Sequence, residues 1–253
     1  MLIDTHCHLD AAEFDSDRDA VHAAALATGV GRIVVPAVAV DSFWKVKSSV
    51  ERYTGCVAAY GIHPLYAMQA KEADLAALRD WLEREKPVAV GEIGLDFHVT
   101  DSDPVRQEFY FVEQLKLARE FGLPVLLHVR RSIDQILKHL RRIRVPGGIA
   151  HAFNGSRQQA DEFIRLGFAL GFGGAMTFAG STRIRKLAAE LPLAAIVLET
   201  DAPDIPPAWL GGGRNSPVEL PRIARVLADL RALPADEVAA QCAAAARAIL
   251  PRL

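Results

Sequence analysis

Cysteine is scarce in this chain. Cys7, Cys56 and Cys242 are scattered over 253 positions, and no two stand in a CxxC spacing. An odd, dispersed set excludes a disulfide framework and a zinc ribbon, and it reads as free thiols in a reducing compartment. Net charge is scarce as well: 29 Lys and Arg stand against 31 Asp and Glu, for −2 overall. A coat for long nucleic acid needs a strongly basic chain, so that class is set aside, whereas a small phosphate pocket is not. Long apolar runs are missing. No stretch reaches the roughly 18 apolar residues of a membrane span, and Asp4 and His6 stand where a secretory leader would need an apolar run. The expectation is a cytoplasmic protein with no membrane span and no obligate protein partner.

What is present is apolar mass. Hydrophobic residues make up 51% of the chain, enough for a large core, and 253 residues suit one α/β barrel domain covering 1–253. Short apolar runs alternate with amphipathic stretches. Strands are expected at 1–6, 32–37, 57–62, 88–92, 125–128, 148–152, 168–172 and 196–200. Runs such as RIVVPA, from Arg32, are continuously apolar and suit strands buried on both faces. Helices are expected at 15–28, 42–53, 73–85, 105–121, 132–143, 158–166 and 184–191, with two more at 217–230 and 235–250. Eight strand–helix units in order predict a (β/α)8 TIM barrel, with a doubly wound open sheet as the runner-up. The Pro- and Gly-rich stretch 203–217 is expected as a long loop after the eighth strand, on the face where barrels build their sites.

The polar residues at the ends of those strands carry the chemistry. His6 and His8 lie two apart on the first strand and therefore point the same way. His63 ends the third strand, Glu92 the fourth, His128 the fifth, His151 the sixth and Asp201 the eighth. In a barrel those ends share one mouth. Five of the eight histidines sort to strand ends, leaving His22, His98 and His139 in helices or loops. Taken singly, each is as well read as a hydrogen-bonded core imidazole; taken together, they read as a metal site. Imidazoles mixed with carboxylates suit Zn, Mn, Fe, Co or Ni better than Mg, which prefers oxygen shells. The expectation is two divalent ions. One is placed at His6, His8, Glu92 and Asp201, and the other at Glu92, His128 and His151, with Glu92 bridging. Asp201 doubles as acceptor of the proton of an attacking water.

The runs IDTHCHLD from Ile3, GIHP from Gly61, GEIGLDF from Gly91, LLHVRRS from Leu126, HAFNGS from His151 and LETDAPDIP from Leu198 resemble those of the TatD family of metal-dependent deoxyribonucleases. The likeness runs over nearly the whole chain. It implies a TIM barrel related to the amidohydrolases, a dinuclear centre of Zn, Mn, Mg, Ni or Co, and hydrolysis of phosphoester bonds, with 3′-exonuclease activity on DNA. The matching ligand positions are His6, His8, Glu92, His128, His151 and Asp201. His63 matches a histidine important for activity. Phe97, Ala152 and Ala246 depart from the residues common in the family. The wording of HAFNGS and DAPDIPP is nearest to a less characterised branch.

Further groups surround the cluster. Arg130, two past His128, suits bidentate contact with a substrate phosphate, against the bland reading of a solvated or ion-paired Arg. Asp96 either orients a ligand histidine from a loop or caps a turn, and Asp10 carries the same choice. Asp4 reads as a buried, hydrogen-bonded strand residue. Ser156 reads as a helix cap. Phe153, Phe172, Phe178 and Trp209 are placed in mouth loops, for base stacking or packing. The expected substrate is a DNA end or a small phosphoester. The rivals are an ester or amide hydrolase, such as a D-aminoacyl-tRNA deacylase, and a non-catalytic metal-binding protein.

Overall fold

The computed structural model describes residues 1–101 and 103–253. Eight strands follow in chain order: β1 (Leu2–Asp4), β2 (Val30–Pro36), β3 (Cys56–Tyr60), β4 (Ala89–Asp96), β5 (Val125–Arg130), β6 (Gly148–Ala150), β7 (Phe168–Phe172) and β8 (Ile196–Leu198). Every neighbouring pair is parallel. The connecting helices are α1 (Arg18–Ala27), α2 (Phe43–Arg52), α3 (Glu72–Glu85), α4 (Pro104–Phe121), α5 (Ile133–Arg142), α6 (Arg157–Arg165) and α7 (Thr182–Glu190), and α8 (Leu220–Arg231) and α9 (Ala235–Ile249) follow β8. The two ends of the sheet meet. Thr5 N–H donates to Leu198 O at 3.1 Å, and Asp201 N–H donates to His6 O at 2.8 Å. The architecture is therefore the (β/α)8 TIM barrel, and the open-sheet alternative falls because an open sheet keeps its edge strands apart.

Local chemistry sets the helix limits. Asp103 caps α4 by accepting from the N–H groups of Val105 and Arg106, Pro104 takes the first turn, and Gly122 ends the helix at φ +61°. Ser156 accepts from Gln159 N–H while the Gln159 side chain accepts from Ser156 N–H, so α6 opens on a reciprocal cap, as expected.

Inside the barrel each strand contributes one residue to a common layer: Ile3, Val34, Ala59, Ala89, Leu126, Ile149, Ala169 and Val197. Ala243, Ala246 and Leu250, at the C-terminal end of α9, pack into the same cluster and close the barrel floor. Residues of opposite parity, among them Ile33, Val90, Leu127 and Leu170, belong to the separate core between sheet and helices. With a period of two, the next inward positions along the strands are Gly61, His128, His151, Gly171 and Glu199, followed by His63, Arg130, Gly173 and Asp201. The polar cluster thus rests directly on the apolar layer.

Several boundaries differ from expectation. β1 ends at Asp4, so His6 and His8 lie just beyond it, although Cys7 N–H still donates to Val34 O of β2 at 3.1 Å. β6 and β8 also stop short, at Ala150 and Leu198. β4 runs on to Asp96 instead of ending at Glu92, and its register shifts between Val90 and Ile93. That shift turns Glu92, Gly94 and Asp96 inward, although simple alternation from Ala89 would turn them out. Phe153 and Phe172, expected at the mouth, are 2% and 1% exposed and sit in the core between sheet and helices. Phe172 shares the outward parity of Phe168 and Leu170, which explains the difference.

Candidate metal centre

Glu92 is the middle of the site. It is 2% exposed, and its two carboxylate oxygens face different groups. Oε2 lies 3.2 Å from His6 Nε2 and 3.5 Å from His8 Nε2. Those same nitrogens stand 3.6 and 3.8 Å from Asp201 Oδ1. Oε1 lies 2.9 Å from His151 Nε2, 3.0 Å from His128 Nδ1 and 3.5 Å from His63 Nε2. All seven residues singled out around the centre in the sequence therefore converge. Arg130 lies at its edge, with its guanidinium 3.9 Å from Asp96 and its side chain 54% exposed.

The donor set fits a cation. Two ligands of one ion, each about 2.1 Å from it, stand no more than about 4.2 Å apart, and the distances above fall inside that limit. His6 Nε2 and His8 Nε2 are 3.3 Å apart, and His128 Nδ1 and His151 Nε2 are 3.5 Å apart. Two neutral imidazole lone pairs do not face each other at such distances unless a proton or a metal ion lies between them. Three triads have ligand atoms close enough to share an ion: His6–Glu92–His151, His6–His8–Asp201 and His63–Glu92–His128.

The electrostatics point the same way. Burial opposes ionisation of Glu92, but His63, His6, His151 and His128 outweigh it and hold the carboxyl well below its usual range. Burial likewise disfavours charge on His8 and His151. The carboxylates, Glu92 foremost, overcome it and push these imidazoles up to about 9 and about 10. Burial, helped by His151, takes His6 down to about 3. Burial raises Asp201 against the pull of His151 and His8. Such a cluster carries more carboxylate charge than it can hold without protons or a cation.

Second partners set the ring orientations. His128 Nε2 is 3.0 Å from Asp96 Oδ2. Burial pushes the Asp96 carboxyl up, but the hydrogen bond to His128 prevails and holds it down to about 2. A neutral His128 thus donates Nε2–H to Asp96 and turns its Nδ1 lone pair toward Glu92. Asp96 fills both roles expected of it, since Oδ2 meets His128 while Oδ1 accepts from His98 N–H at 2.9 Å, and it sits on β4 rather than in a loop. His63 is arranged the opposite way. Leu65 N–H donates to its Nδ1 at 3.2 Å, and burial lowers its pKa against the pull of Glu92. A neutral His63 then carries its proton on Nε2 and presents an N–H, not a lone pair, to the centre.

Asp4 accepts from Thr200 N–H at 2.9 Å, Thr200 Oγ1–H at 2.6 Å and His6 N–H at 3.3 Å. It ties the end of β1 to the chain after β8, which is the hydrogen-bonded role expected of it. Helix α4 supplies two further ties. Gln114 Oε1 accepts from Ile62 N–H at 2.6 Å and its Nε2 donates to Ile62 O at 3.0 Å. Gln107 Oε1 accepts from Asp96 N–H at 2.8 Å and its Nε2 donates to Asp96 O at 3.0 Å. Seven residues apart, the two glutamines share a helix face and hold the chain beside His63 and His128. Asp201, at φ +58°, and Ala152, at φ +46°, take left-handed backbone. For residues with a Cβ this costs about 1–2 kcal/mol each, offset at Asp201 by its N–H bond to His6 O.

Sequence reasoning missed Gln107, Gln114 and Glu199. Glu199 is 1% exposed behind His151, with Oε1 3.9 Å from His151 Nδ1 and accepting from Ala152 N–H at 2.5 Å. Burial pushes this carboxyl up to about 8, against the pull of His151. Its parity with Val197 and Asp201 was the available signal.

Above the cluster lies an open cavity of about 1760 Å³, floored by Glu92, His128, His151 and Asp201 and reached by Arg130, Arg131, Lys45 and Arg183. No described helix is long and apolar enough to cross a membrane. All three cysteines are buried and free.

Comparison with known proteins agrees with this geometry. The family model described as "TatD related DNase" matches residues 3–251. The Escherichia coli K12 protein described as "Uncharacterized metal-dependent hydrolase YjjV" is 44% identical over 241 residues, which span 94% of this chain and 93% of that protein. A crystal structure of YjjV, described as a TatD homolog, superposes with a TM-score of 0.95 at 42% identity, covering 99% of this chain and 98% of the other. The "3′-5′ ssDNA/RNA exonuclease TatD" of Cronobacter sakazakii is 35% identical, covering 91% of this chain and 90% of its own. A closed barrel, a buried carboxylate shared by five imidazoles and a match from the third residue nearly to the last make one case: the chain belongs to the TatD-related DNase family of metal-dependent hydrolases.

Proposed function

We propose that this chain is a single-domain, dinuclear metal-dependent phosphodiesterase that removes nucleotides from the 3′ end of single-stranded DNA. The observation that carries the reading is the division of Glu92. One oxygen faces His6 and His8, with Asp201 beside them, and the other faces His128 and His151. His6, His8, Glu92 and Asp201 would hold one ion, and Glu92, His128 and His151 the other, drawn from Zn, Mn, Ni, Co or Mg. Divalent ions in such a site supply Lewis-acid stabilisation of developing phosphoryl charge and make water acidic enough to react near neutral pH. The Cronobacter relative named as a 3′-5′ exonuclease supports the substrate class.

The chain's own groups complete the chemistry. Asp201 accepts a proton from the attacking water, since Oδ1 faces the cluster and is only slightly exposed. The Nε2–H of His63 is a donor toward the departing oxygen. The exposed guanidinium of Arg130 holds a phosphate bidentately at the rim.

The test is an assay of metal-reconstituted protein on 5′-labelled single-stranded DNA, run beside a panel of carboxylic esters and amides. A ladder shortening from the 3′ end supports the proposal. Hydrolysis of the esters or amides with intact DNA overturns it in favour of a second reading, an ester or amide hydrolase. The carboxylates of Asp10, Asp41 and Asp204 at the mouth favour that reading, because they would suit a substrate bearing an ammonium group.

A further inference from the structure

Among the described residues four buried side-chain polar atoms have no partner: His6 Nδ1, Asp10 Oδ1, and, on two side chains that face each other behind the centre, His151 Nδ1 and Glu199 Oε2. The last two side chains are 4% and 1% exposed. An imidazole that offers Nε2 to a cation must carry its proton on Nδ1, and a buried N–H without an acceptor costs about 1–3 kcal/mol. His128, which turns Nδ1 to the centre instead, has an acceptor for its Nε2–H in Asp96 at 3.0 Å. For His151 the carboxylate beside Nδ1 is Glu199, with Oε1 at 3.9 Å.

We propose that Glu199 is the positioning residue of His151. It accepts the Nδ1–H and fixes the tautomer whose Nε2 lone pair faces Glu92, 2.9 Å away. The barrel makes room for this carboxylate at some cost in packing. A Cβ on Gly171 would lie 2.1 Å from Glu199 Oε2, and one on Gly173 2.7 Å from Glu199 O. Glycine at 171 leaves the space the buried acid group fills, and glycine at 173 lets the backbone of Glu199 pass close. A cavity of about 10 Å³ beside Glu199, lined also by Ala152, Gly173 and Thr200, leaves the carboxylate room for the small rotation that the 3.9 Å gap to Nδ1 requires. Among the described residues Oε2 of this buried carboxylate has no hydrogen-bond partner, and Ala152 N–H occupies Oε1.

This inference rests on His151 facing a metal ion, and its test needs no substrate. Glu199→Gln keeps the side-chain volume and a carbonyl for Ala152 N–H. Its NH2 takes the place of Oε2, so the negative charge and the spare acceptor that hold the ring proton on Nδ1 are both lost and the proton moves to Nε2. The full-length variant should retain its far-UV circular dichroism while binding Zn or Mn about 10–100-fold more weakly in competition with a chelator. Its ring ¹⁵N spectrum should show His151 protonated on Nε2, whereas metal-loaded wild type shows Nδ1–H. Unchanged affinity together with an unchanged tautomer in Glu199→Gln would overturn the assignment. If the variant does not fold, the wild-type spectrum decides: a slowly exchanging His151 Nδ1–H supports the assignment, and an unprotonated Nδ1 sinks it. Loss of the nuclease reading in the DNA assay would leave these outcomes untouched.

Discussion

At the scale of single residues, the site separates groups that offer a lone pair from groups that offer a proton. Glu92 gives both oxygens to the cluster, and nothing else described takes its place between the two imidazole sets. Glu92→Gln should therefore cut kcat/KM on the order of 10³-fold and lower the metal content of the purified protein. Elemental analysis beside the assay checks both, and full metal occupancy with normal turnover would contradict the central role. His63 should behave differently. Its Nδ1 is engaged by Leu65 N–H, so it contributes a proton donor. His63→Ala is expected to lower kcat by about 10²–10⁴-fold while metal content stays at the wild-type level. A His63→Ala protein that loses its metal would show that the imidazole is a ligand after all.

At the scale of elements, α4 does more than cover the sheet. Its Gln114 satisfies both backbone groups of Ile62, next to His63, and both partners are buried. Gln114→Leu keeps much of the volume but strands an N–H and a C=O, each worth roughly 1–3 kcal/mol. Denaturant unfolding should register that loss, with kcat falling further than metal affinity because His63 is what moves. Stability within about 0.5 kcal/mol of wild type would mean that the loop holds itself. Elements also show what could be read in advance. The eight strands were legible because buried parallel strands are continuously apolar, and the helices because Pro104, Gly122 and Ser156 punctuate them. Strand ends were not. In IDTHCH no proline or glycine marks the end of β1 at Asp4. Glu92 reaches the interior only through the register shift after Val90, which alternation cannot foresee. Its place in the motif located it; its geometry did not. Glu199 lay in plain view, with the parity of Asp201, yet a single acid in an apolar run reads as a strand terminus. Gln107 and Gln114 were hidden because amides on an amphipathic helix ordinarily face water.

At the scale of the whole molecule, charge decides how a polyanion meets the mouth. The net charge is −2, so no long-range field draws in nucleic acid. Around the cavity the cations are Lys45, Arg130, Arg131 and Arg183, interspersed with Asp10, Glu13, Asp41, Asp74, Asp134 and Asp204. The arginines follow β5 and β7, while most of the carboxylates follow β1, β2 and β8. A strand laid over the arginines would meet repulsion on the far side, which favours an end over a continuous strand. Few phosphates can then be held. Each phosphate contact on a single strand contributes about −0.7 to the slope of log affinity against log salt, so four cations set a limit of about −3. Measuring kcat/KM on single-stranded DNA from about 50 to 200 mM KCl, at fixed metal, should give a slope no steeper than that. Arg183→Glu should flatten it further, because Arg183 lies on the arginine side and its one hydrogen-bond partner among the described residues is the neutral Asn154. A slope near −6 would require a phosphate-tracking groove that this rim does not supply, and circular single strands cut as fast as linear ones would exclude an end-directed mouth.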